Sequence, residues 1–329
     1  MVTFSQNRID ELLASVCTKN IAIIGDVMID RYIWGTVNRI SPEAPVPVVE
    51  VESESTMLGG AANVANNITS LGAKAFLIGV VGNDNSGKEF RRILEQQGTS
   101  AEGIVTDENR PTTVKTRVIA HNQHVVRIDH EEKKDVDAAV QEEIMSVLER
   151  HIQELDGIIL EDYNKGVIGK TLIRRIIDLA NANKKIVTID PKFNNFFEYT
   201  NVTVFKPNKK ETEEALGMKL RTDDEVIAAG KKLLERLKAE NVLLTRSEKG
   251  MSLFEKNGTV THIPTKARKV ADVSGAGDTV IATLTAMIAS GASFAEAATL
   301  ANYAGGIVCG EVGIIPINPV ALRTTVLEQ

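Results

Sequence analysis

The stretch Asp272-Val273-Ser274-Gly275-Ala276-Gly277-Asp278-Thr279 sets small residues between two carboxylates, just before an apolar run from Val280 to Ala289. The pattern reads as a loop that turns into a helix. Small residues let a ligand approach the backbone closely. The first turn of a helix leaves N–H groups without intrahelical partners. With the positive end of the helix dipole, they make an anion site. Asp278 at that point has two readings. It can cap the helix. Beside an anion hole, it can instead take the proton of an attacking hydroxyl while the amides hold the developing charge. Local pattern leaves both open.

Other polar groups sit where apolar runs end. Asn20 to Ile24 reads as a buried strand ending in Gly25-Asp26, followed by a loop, Val27-Met28-Ile29-Asp30-Arg31-Tyr32. Asp26 and Asp30 are turn residues, or polar groups at the carboxyl end of a parallel strand, where open α/β sheets bind ligands. Leu58-Gly59-Gly60-Ala61-Ala62-Asn63 opens the next helix. Its glycines suit tight packing or ligand approach, and Asn63 both donates and accepts hydrogen bonds. Glu161-Asp162-Tyr163-Asn164-Lys165-Gly166, Asp190-Pro191-Lys192 and Pro207-Asn208-Lys209-Lys210-Glu211 follow later strands. Lys165 and Lys192 are surface lysines or phosphate partners. Asn208 and Glu211, three apart at a helix start, form a capping box.

Two stretches imitate other chemistries. Gly82-Asn83-Asp84-Asn85-Ser86-Gly87-Lys88 has P-loop spacing, but Glu89 stands where a magnesium-holding hydroxyl belongs. It reads as a strand-to-helix turn with Ser86 as N-cap and Gly98 ending the helix. His121 and His124 flank Gln123 rather than a glycine, and no helix follows, so a nucleotidyltransferase motif is set aside. Pro111 to Asp129 alternates as a β-hairpin turning at His121-Asn122-Gln123. With the extended, proline-rich Pro45–Val51 segment it makes a small separate sheet. Lys115, Arg117 and Arg127 on it are solvated strand charges, or a clamp for a phosphate already on the substrate.

The elements that must position these groups alternate. Helices at Val136–Leu155, Gly169–Asn181, Lys209–Leu216 and Asp223–Ala239 alternate with strands at Gly157–Leu160, Lys185–Ile189, Val202–Phe205 and Val242–Thr245. Repeated α–β alternation predicts a parallel sheet covered on both faces. Met251–Phe254 with Thr259–Ile263 reads as a hairpin, and Phe294–Cys309 as the last helix. The chain has 329 residues, 43% hydrophobic and 25% charged, with a net charge of −6, which suits a large-cored globular protein and argues against a nucleic-acid partner. Cys17 and Cys309 lack CxxC or CxxH company and read as buried free thiols. The N-terminus lacks a signal-peptide core and no apolar run reaches spanning length, so no membrane partner and a cytoplasmic location are expected.

Asp272–Asp278 resembles the Asp-x-[Thr/Ser]-Gly-Ala-Gly-Asp signature of the ribokinase-like (PfkB) carbohydrate kinases, and Gly59, Gly60 and Asn63 with Gly72 and Gly82 fit that family's N-terminal signature. The resemblance covers nearly the whole chain. It implies an α/β fold, a ribokinase-like three-layer α/β/α sandwich with a mostly parallel sheet. Residues 1–329 would form one kinase domain, with a β lid from about 36–52 and 111–129. It implies Asp278 as catalytic base, the Gly275, Ala276 and Gly277 amides as anion hole, and Asp30, Gly59, Gly60 and Asn63 on the sugar. Lys192, Asn208, Thr245, Arg246, Gly250, Gly275, Gly277 and Asn302 would line the site of ATP, the co-substrate. Asn208 and Glu211 would organise Mg2+ through its waters, and Asp272 a monovalent cation such as K+. Relatives have Thr-x-Gly-x-x-Gly where Ser247 replaces the first glycine here, which puts the local backbone geometry in question.

Longer blocks, Gly25–Tyr32, Arg39–Val48, Lys115–Val118, Asp162–Gly166, Asp190–Lys192 and Thr245–Met251, resemble the heptose 7-phosphate kinases of that family. They imply ATP-dependent phosphorylation of D-glycero-beta-D-manno-heptose 7-phosphate at C1, a step toward ADP-heptose and the lipopolysaccharide core. Lys115, Arg117, Asp162 and Lys165 would join the acceptor site. The chain ends soon after the last expected kinase helix, so adenylylation is expected of another chain. A kinase of another sugar, sugar phosphate or nucleoside, or a catalytically silent nucleotide- or sugar-sensing dimer, are the alternatives. The small-molecule sugar phosphate is the expected partner, together with a second copy of the chain paired through the lid edge.

Overall fold

The computed structural model describes residues 2–121, 123–265, 270–311 and 313–328. Strand β1 (Asn20–Gly25) shows why the chain folds in layers. Ile21 and Ile23 enter one apolar cluster, and Ala22 and Ile24 enter another, all fully buried. Side chains alternate across a strand, so a strand apolar on both faces needs helices on both sides.

Helix α1 (Gln6–Val16) precedes β1. Then come β2 (Val27–Ile40), β3 (Pro47–Gly60), α2 (Ala61–Ser70), β4 (Lys74–Gly82), α3 (Asn85–Gln96), β5 (Ile104–Asp107), β6 (Val114–Ala120) and β7 (Gln123–His130). The second half runs α4 (Ala138–His151), β8 (Gly157–Glu161), α5 (Lys170–Ala182), β9 (Ile186–Asp190), β10 (Val204–Phe205), α6 (Lys209–Leu216), α7 (Asp223–Leu237) and β11 (Asn241–Thr245). It closes with β12 (Met251–Glu255), β13 (Val260–Ile263), α8 (Ala276–Ala289), α9 (Phe294–Val308) and α10 (Pro319–Leu327). A nine-stranded sheet has the order β13-β12-β11-β10-β9-β8-β1-β4-β5. It is parallel except where β11, β12 and β13 pair antiparallel. Residues of α1, α2, α8, α9 and α10 share one apolar cluster and those of α4, α5 and α7 the other. The expected three-layer α/β class is what the chain adopts.

The order reverses between β1 and β8: the chain leaves β1 toward β4 and β5, and later leaves β8 toward β9, β10 and β11. A crevice opens at the carboxyl ends of the strands at such a switch point. Gly25-Asp26 and Glu161-Asp162 stand there.

A separate four-stranded sheet has the order β3-β2-β6-β7. It is larger than the sequence suggested. Val27–Tyr32, expected as loop, begins β2, and Leu58-Gly59-Gly60, expected at a helix start, ends β3. Both strands bury their inner ends, where apolar residues hid a strand inside what looked like a loop. The hairpin turn was expected at 121–123; His121 there has φ 50, and Asn122 lies outside the described residues. Asp84, not Ser86, caps α3, accepting from Gly87 N at 2.7 Å, while its other oxygen takes Thr112 N at 2.8 Å. α1, β5 and α10 were missed, and α10 rather than Phe294–Cys309 is the last helix. The cysteines are free, but Cys17 is exposed and Cys309 half-buried rather than buried. Among the described residues, no helix is long and apolar enough to cross a membrane.

Candidate active site

Helix α8 begins at Gly275, whose φ of 74 lies in the left-handed region. A Cβ there would press on Asn63 Nδ2 at 3.0 Å and on Ile314 at 3.3 Å, so the turn into α8 needs a glycine. Asp278 to Met287 are all buried. Asp278 thus stands in the first turn of an enclosed helix, beside N–H groups that have no partner within the helix.

Two layers hold its carboxylate. Asn63 on α2 donates to Oδ2 at 2.7 Å, and Tyr163, just past β8, donates its hydroxyl to Oδ1 at 2.8 Å. One turn further along α2, Asn67 accepts from Thr279 Oγ1 and from Ile317 N, both at 3.0 Å. Positions four apart on a helix share a face, so α2 fixes the start of α8 at two points. Burial pushes the Asp278 pKa up to about 6, against the pull of Asn63 and Tyr163. The neighbouring Asp190 pushes the same way.

Glu161 at the end of β8 and Asp190 at the end of β9 complete an acidic centre. One oxygen from each of Glu161, Asp190 and Asp278 lies within 4.8 Å of the others. Lys206, buried beyond β10, pairs with Asp190 at 2.7 Å. Among the described residues, both Glu161 oxygens are buried without a hydrogen-bond partner. Burial, then Asp190 and Asp278, raise its pKa well above the usual carboxylate range.

Beside this centre, Lys192 pairs with Glu211 at 3.0 Å and lies 5.3 Å from the centre of the Tyr163 ring. Burial works against the Lys192 ammonium, but Asp190, Glu211 and Glu161 outweigh it and raise its pKa. Asn208 and Glu211 make the expected capping box at the start of α6. The backbone at Asn208 forms an isolated parallel bridge with Thr245, whose N–H donates to Pro207 O at 3.0 Å. Arg246 is buried and bound to Asp223 and to Ser252 Oγ. Ser247, in the place of the first glycine of the expected loop, takes φ 53, and Gly250 takes φ 80. The serine therefore accepts the left-handed turn that a glycine would take without strain. Asn302 donates to Pro264 O at 3.1 Å. Asp272 accepts from Ser274 N at 2.9 Å and from Gly313 N at 3.2 Å.

The four-stranded sheet supplies the opposite wall. Asp30 is in register with Lys115, Tyr32 with Arg117, and Lys115 with Asp129, so these side chains share one face. Asp30 is buried and paired with Arg117, whose guanidinium lies 5.2 Å from the centre of the Tyr32 ring. A side chain at Gly59 would collide with the Asp30 carboxylate, and Gly60 leads directly into α2. Asp30, Gly59, Gly60, Asn63 and Asp278 are therefore brought together. Lys115 and Lys165 meet through Glu131.

Asp162 is placed differently from the other acceptor candidates. Its oxygens accept from Tyr199 OH and Asn164 N, both at 2.7 Å, deep under the loop after β8. Asp26 does similar work: it gathers the N–H groups of Tyr163, Lys165 and Val167 at 2.7, 3.0 and 3.1 Å. Burial, then Asp162, pushes the Asp26 pKa up to about 6. In the sequence, Tyr163, Glu161 and Asp190 stand only as strand-end residues with no part assigned, and Lys206 and Glu131 carry no assigned role. The strand-end position signalled the first three. Nothing local distinguished Lys206, one lysine after an apolar strand, or Glu131, one acid in a charged run.

Comparison with known proteins fits this geometry. The family model described as pfkB family carbohydrate kinase matches residues 18–321. The bifunctional protein HldE of Geobacter sulfurreducens is 42% identical over 314 residues, covering 95% of this chain and 64% of that protein. HldE of Helicobacter pylori strain J99 is 46% identical over 295 residues, covering 90% of this chain and 64% of that protein. The chain thus spans 64% of the length of these relatives. Phosphofructokinase-2 from Escherichia coli in complex with potassium superposes with a TM-score of 0.77 at 18% identity, over 94% of this chain and 99% of that one. Arabidopsis thaliana ribokinase complexed with ribose and ATP gives 0.73 at 18% identity, over 93% and 98%. Those two likenesses carry the ribokinase-like fold. With a family model matched across both walls of the crevice, the chain belongs to the pfkB family of carbohydrate kinases.

Proposed function

We propose that this carbohydrate kinase transfers the γ-phosphoryl group of ATP to C1 of D-glycero-beta-D-manno-heptose 7-phosphate, giving the 1,7-bisphosphate on the way to ADP-heptose. The observation that carries the transfer is Asp278, a buried carboxylate with a pKa of about 6 at the N-terminus of α8. It is ionised at neutral pH, yet basic enough to take a proton from a hydroxyl. The heptose resemblance of the Gly25–Tyr32, Arg39–Val48 and Asp162–Gly166 blocks supports the acceptor, as does the similarity to the HldE proteins.

In this reading the four-stranded sheet is a lid. Asp30, Gly59, Gly60 and Asn63 hold the sugar, with Lys115, Arg117 and Lys165 toward its phosphate. Asp162 supports them from behind by fixing the Lys165 loop. Asp278 removes the proton of the anomeric hydroxyl, which attacks in line. The amides of Gly275 and Gly277 offset the charge on the moving group, joined by that of Ala276 once it leaves Val273 O, which it meets at a long 3.3 Å. Lys192, Asn208, Thr245, Arg246, Gly250 and Asn302 border the ATP side. A magnesium ion fits the residues present: the donors are all oxygen, and the Glu161 oxygens are orphaned within 4.8 Å of Asp190 and Asp278. Glu161, Asp190 and, through water, Asn208 and Glu211 would hold it, and it would neutralise phosphate charge. At Asp272 both oxygens already accept backbone N–H groups. Each oxygen keeps a second lone pair, so Asp272 stays the candidate for a monovalent cation, and no step is assigned to one.

A cytoplasmic homodimer completes the reading. The outer face of the four-stranded sheet is apolar, with a groove of about 490 Å³ lined by Ile33, Val49, Val51, Val118 and Val126. A second copy of this sheet would cover it. The experiment is ADP release with ATP and Mg2+ across heptose 7-phosphate, fructose 6-phosphate, ribose and adenosine, with the product position read by phosphorus NMR. Turnover on heptose 7-phosphate giving the 1,7-bisphosphate is the expected result. Turnover confined to another acceptor would remove the heptose assignment and leave Asp278 in place.

A further inference from the structure

Lys115 comes from β6 of the four-stranded sheet, and Lys165 from the loop that leaves the nine-stranded sheet after β8. Both reach one side chain. The Glu131 carboxylate is bound by Lys165 Nζ at 2.8 Å on Oε1 and 2.7 Å on Oε2. Lys115 Nζ stands 3.4 Å from Oε2, and Lys133 Nζ 3.3 Å from Oε1. The side chains of Glu131, Lys115 and Lys165 are 10%, 14% and 13% exposed, so these three are sheltered from water, while Lys133, 69% exposed, closes the cluster from the solvent side. Asp129, a further carboxylate on this face, is shared between Lys115 at 3.5 Å and Arg127 at 2.9 Å.

The cluster has the character of an anion seat with an internal occupant. Three ammonium groups around two oxygens are more than a carboxylate needs. A phosphate monoester brings nearly twice the charge and three acceptor oxygens, and it forms the stronger charge-assisted bonds. Its position also fits an acceptor. Lys115 is the register partner of Asp30, and Lys165 follows closely on Tyr163, which binds Asp278.

Resting on the reading that the acceptor carries a phosphate, we propose that Glu131 is a specificity-determining residue. Its carboxylate occupies the seat formed by Lys115, Lys133 and Lys165, and the acceptor's phosphate must displace it. The empty seat stays neutralised and its lysines stay placed. A sugar without a phosphate cannot displace the carboxylate, and a weakly charged one does so poorly.

The test is binding of inorganic phosphate, followed by phosphorus NMR titration, with KM for heptose 7-phosphate measured alongside. Glu131→Gln should bind inorganic phosphate at least tenfold more tightly than the wild type. Its KM for heptose 7-phosphate should fall by a similar factor. The gain should vanish in the double variant Glu131→Gln with Lys165→Met. Unchanged or weaker phosphate binding in Glu131→Gln would overturn the proposal and make Glu131 a strut for the lysines. Should Glu131→Gln fail to fold, Glu131→Asp withdraws the carboxylate by one methylene. It should give a smaller gain in the same direction, and no gain would overturn the proposal equally. Phosphate binding is read without turnover. A wrong acceptor assignment would therefore show in the acceptor panel and leave this result standing on its own.

Discussion

The two carboxylate centres of this kinase are tuned in opposite senses. At the carboxyl ends of β8 and β9, Glu161, Asp190 and Asp278 crowd together with Lys206 as the close cation on Asp190, and the pKa values of Glu161 and Asp278 are raised. Under the four-stranded sheet, Glu131 sits among three lysines. Burial would raise its pKa, but the Lys165 hydrogen bond and the charges of Lys115 and Lys165 bring it down to about 2. A centre short of positive charge takes up protons and cations. A centre rich in it takes up anions. The two centres are thus polarised in opposite senses: one gathers carboxylates with raised pKa values, and the other surrounds a carboxylate with lysines.

The contrast can be broken most sharply at Asp278. Asp278→Asn should lower kcat by about 10³-fold, as expected for removal of a general base, with ATP affinity by calorimetry little changed. Near-wild-type turnover would remove Asp278 as the base.

Stability should show the opposite tuning directly. The folded-state pKa of Asp278 is raised, so its favourable contribution is complete below the unfolded value near 3.8 and is lost as pH rises through about 6. Asparagine does not titrate. Asp278→Asn should therefore gain on the order of 3 kcal/mol relative to wild type between pH 3.8 and pH 7. Glu131→Gln should behave inversely. The folded-state pKa is depressed, so the contribution is present above 4.5 and lost as pH falls toward about 2. That variant should be less stable than wild type at pH 7, with the gap closing in acid. Urea unfolding at a series of pH values measures both, and parallel curves would erase the contrast.

A smaller effect is kinetic. With Asp278 needed as the carboxylate, kcat/KM for the acceptor should be flat at pH 7 to 8 and fall at least tenfold per unit below about 6. A flat acid limb would mean that proton removal does not limit the reaction. Smallest is Ser247→Gly, which relieves a left-handed serine at φ 53 and should add up to about 1 kcal/mol in the same urea measurement.

The sequence made the α/β layering and the Asp278 helix start legible because both are local patterns. Apolar runs alternate with helical spacing, and small residues precede a long apolar helix. The capping box of Asn208 and Glu211 was legible for the same reason. What stayed hidden depends on distant partners. β2 looked like a loop because its polar residues face one wall of a crevice while its inner end is buried. α10 is set in place by Asn318 and by contact with the core cluster, with little in its own pattern to announce it. Glu131 gained its meaning only when Lys115 and Lys165, far apart in the chain, converged on it. Lys165 was named for its place at a strand end, without any sign of which charge it would meet.

Asp26 gives the acid limb a second proton to count. Its carboxylate gathers the backbone of the loop that carries both Tyr163 and Lys165, and burial pushes its pKa up to about 6, as it does for Asp278. Protonating it would place a hydroxyl against amides that need an acceptor, and so loosen the Tyr163 hold on the base. A plot of log kcat/KM against pH should then approach a slope of two below that point rather than one. Asp26→Asn should reduce the slope to one. The steepness of a pH profile would thus report on a residue that touches neither substrate.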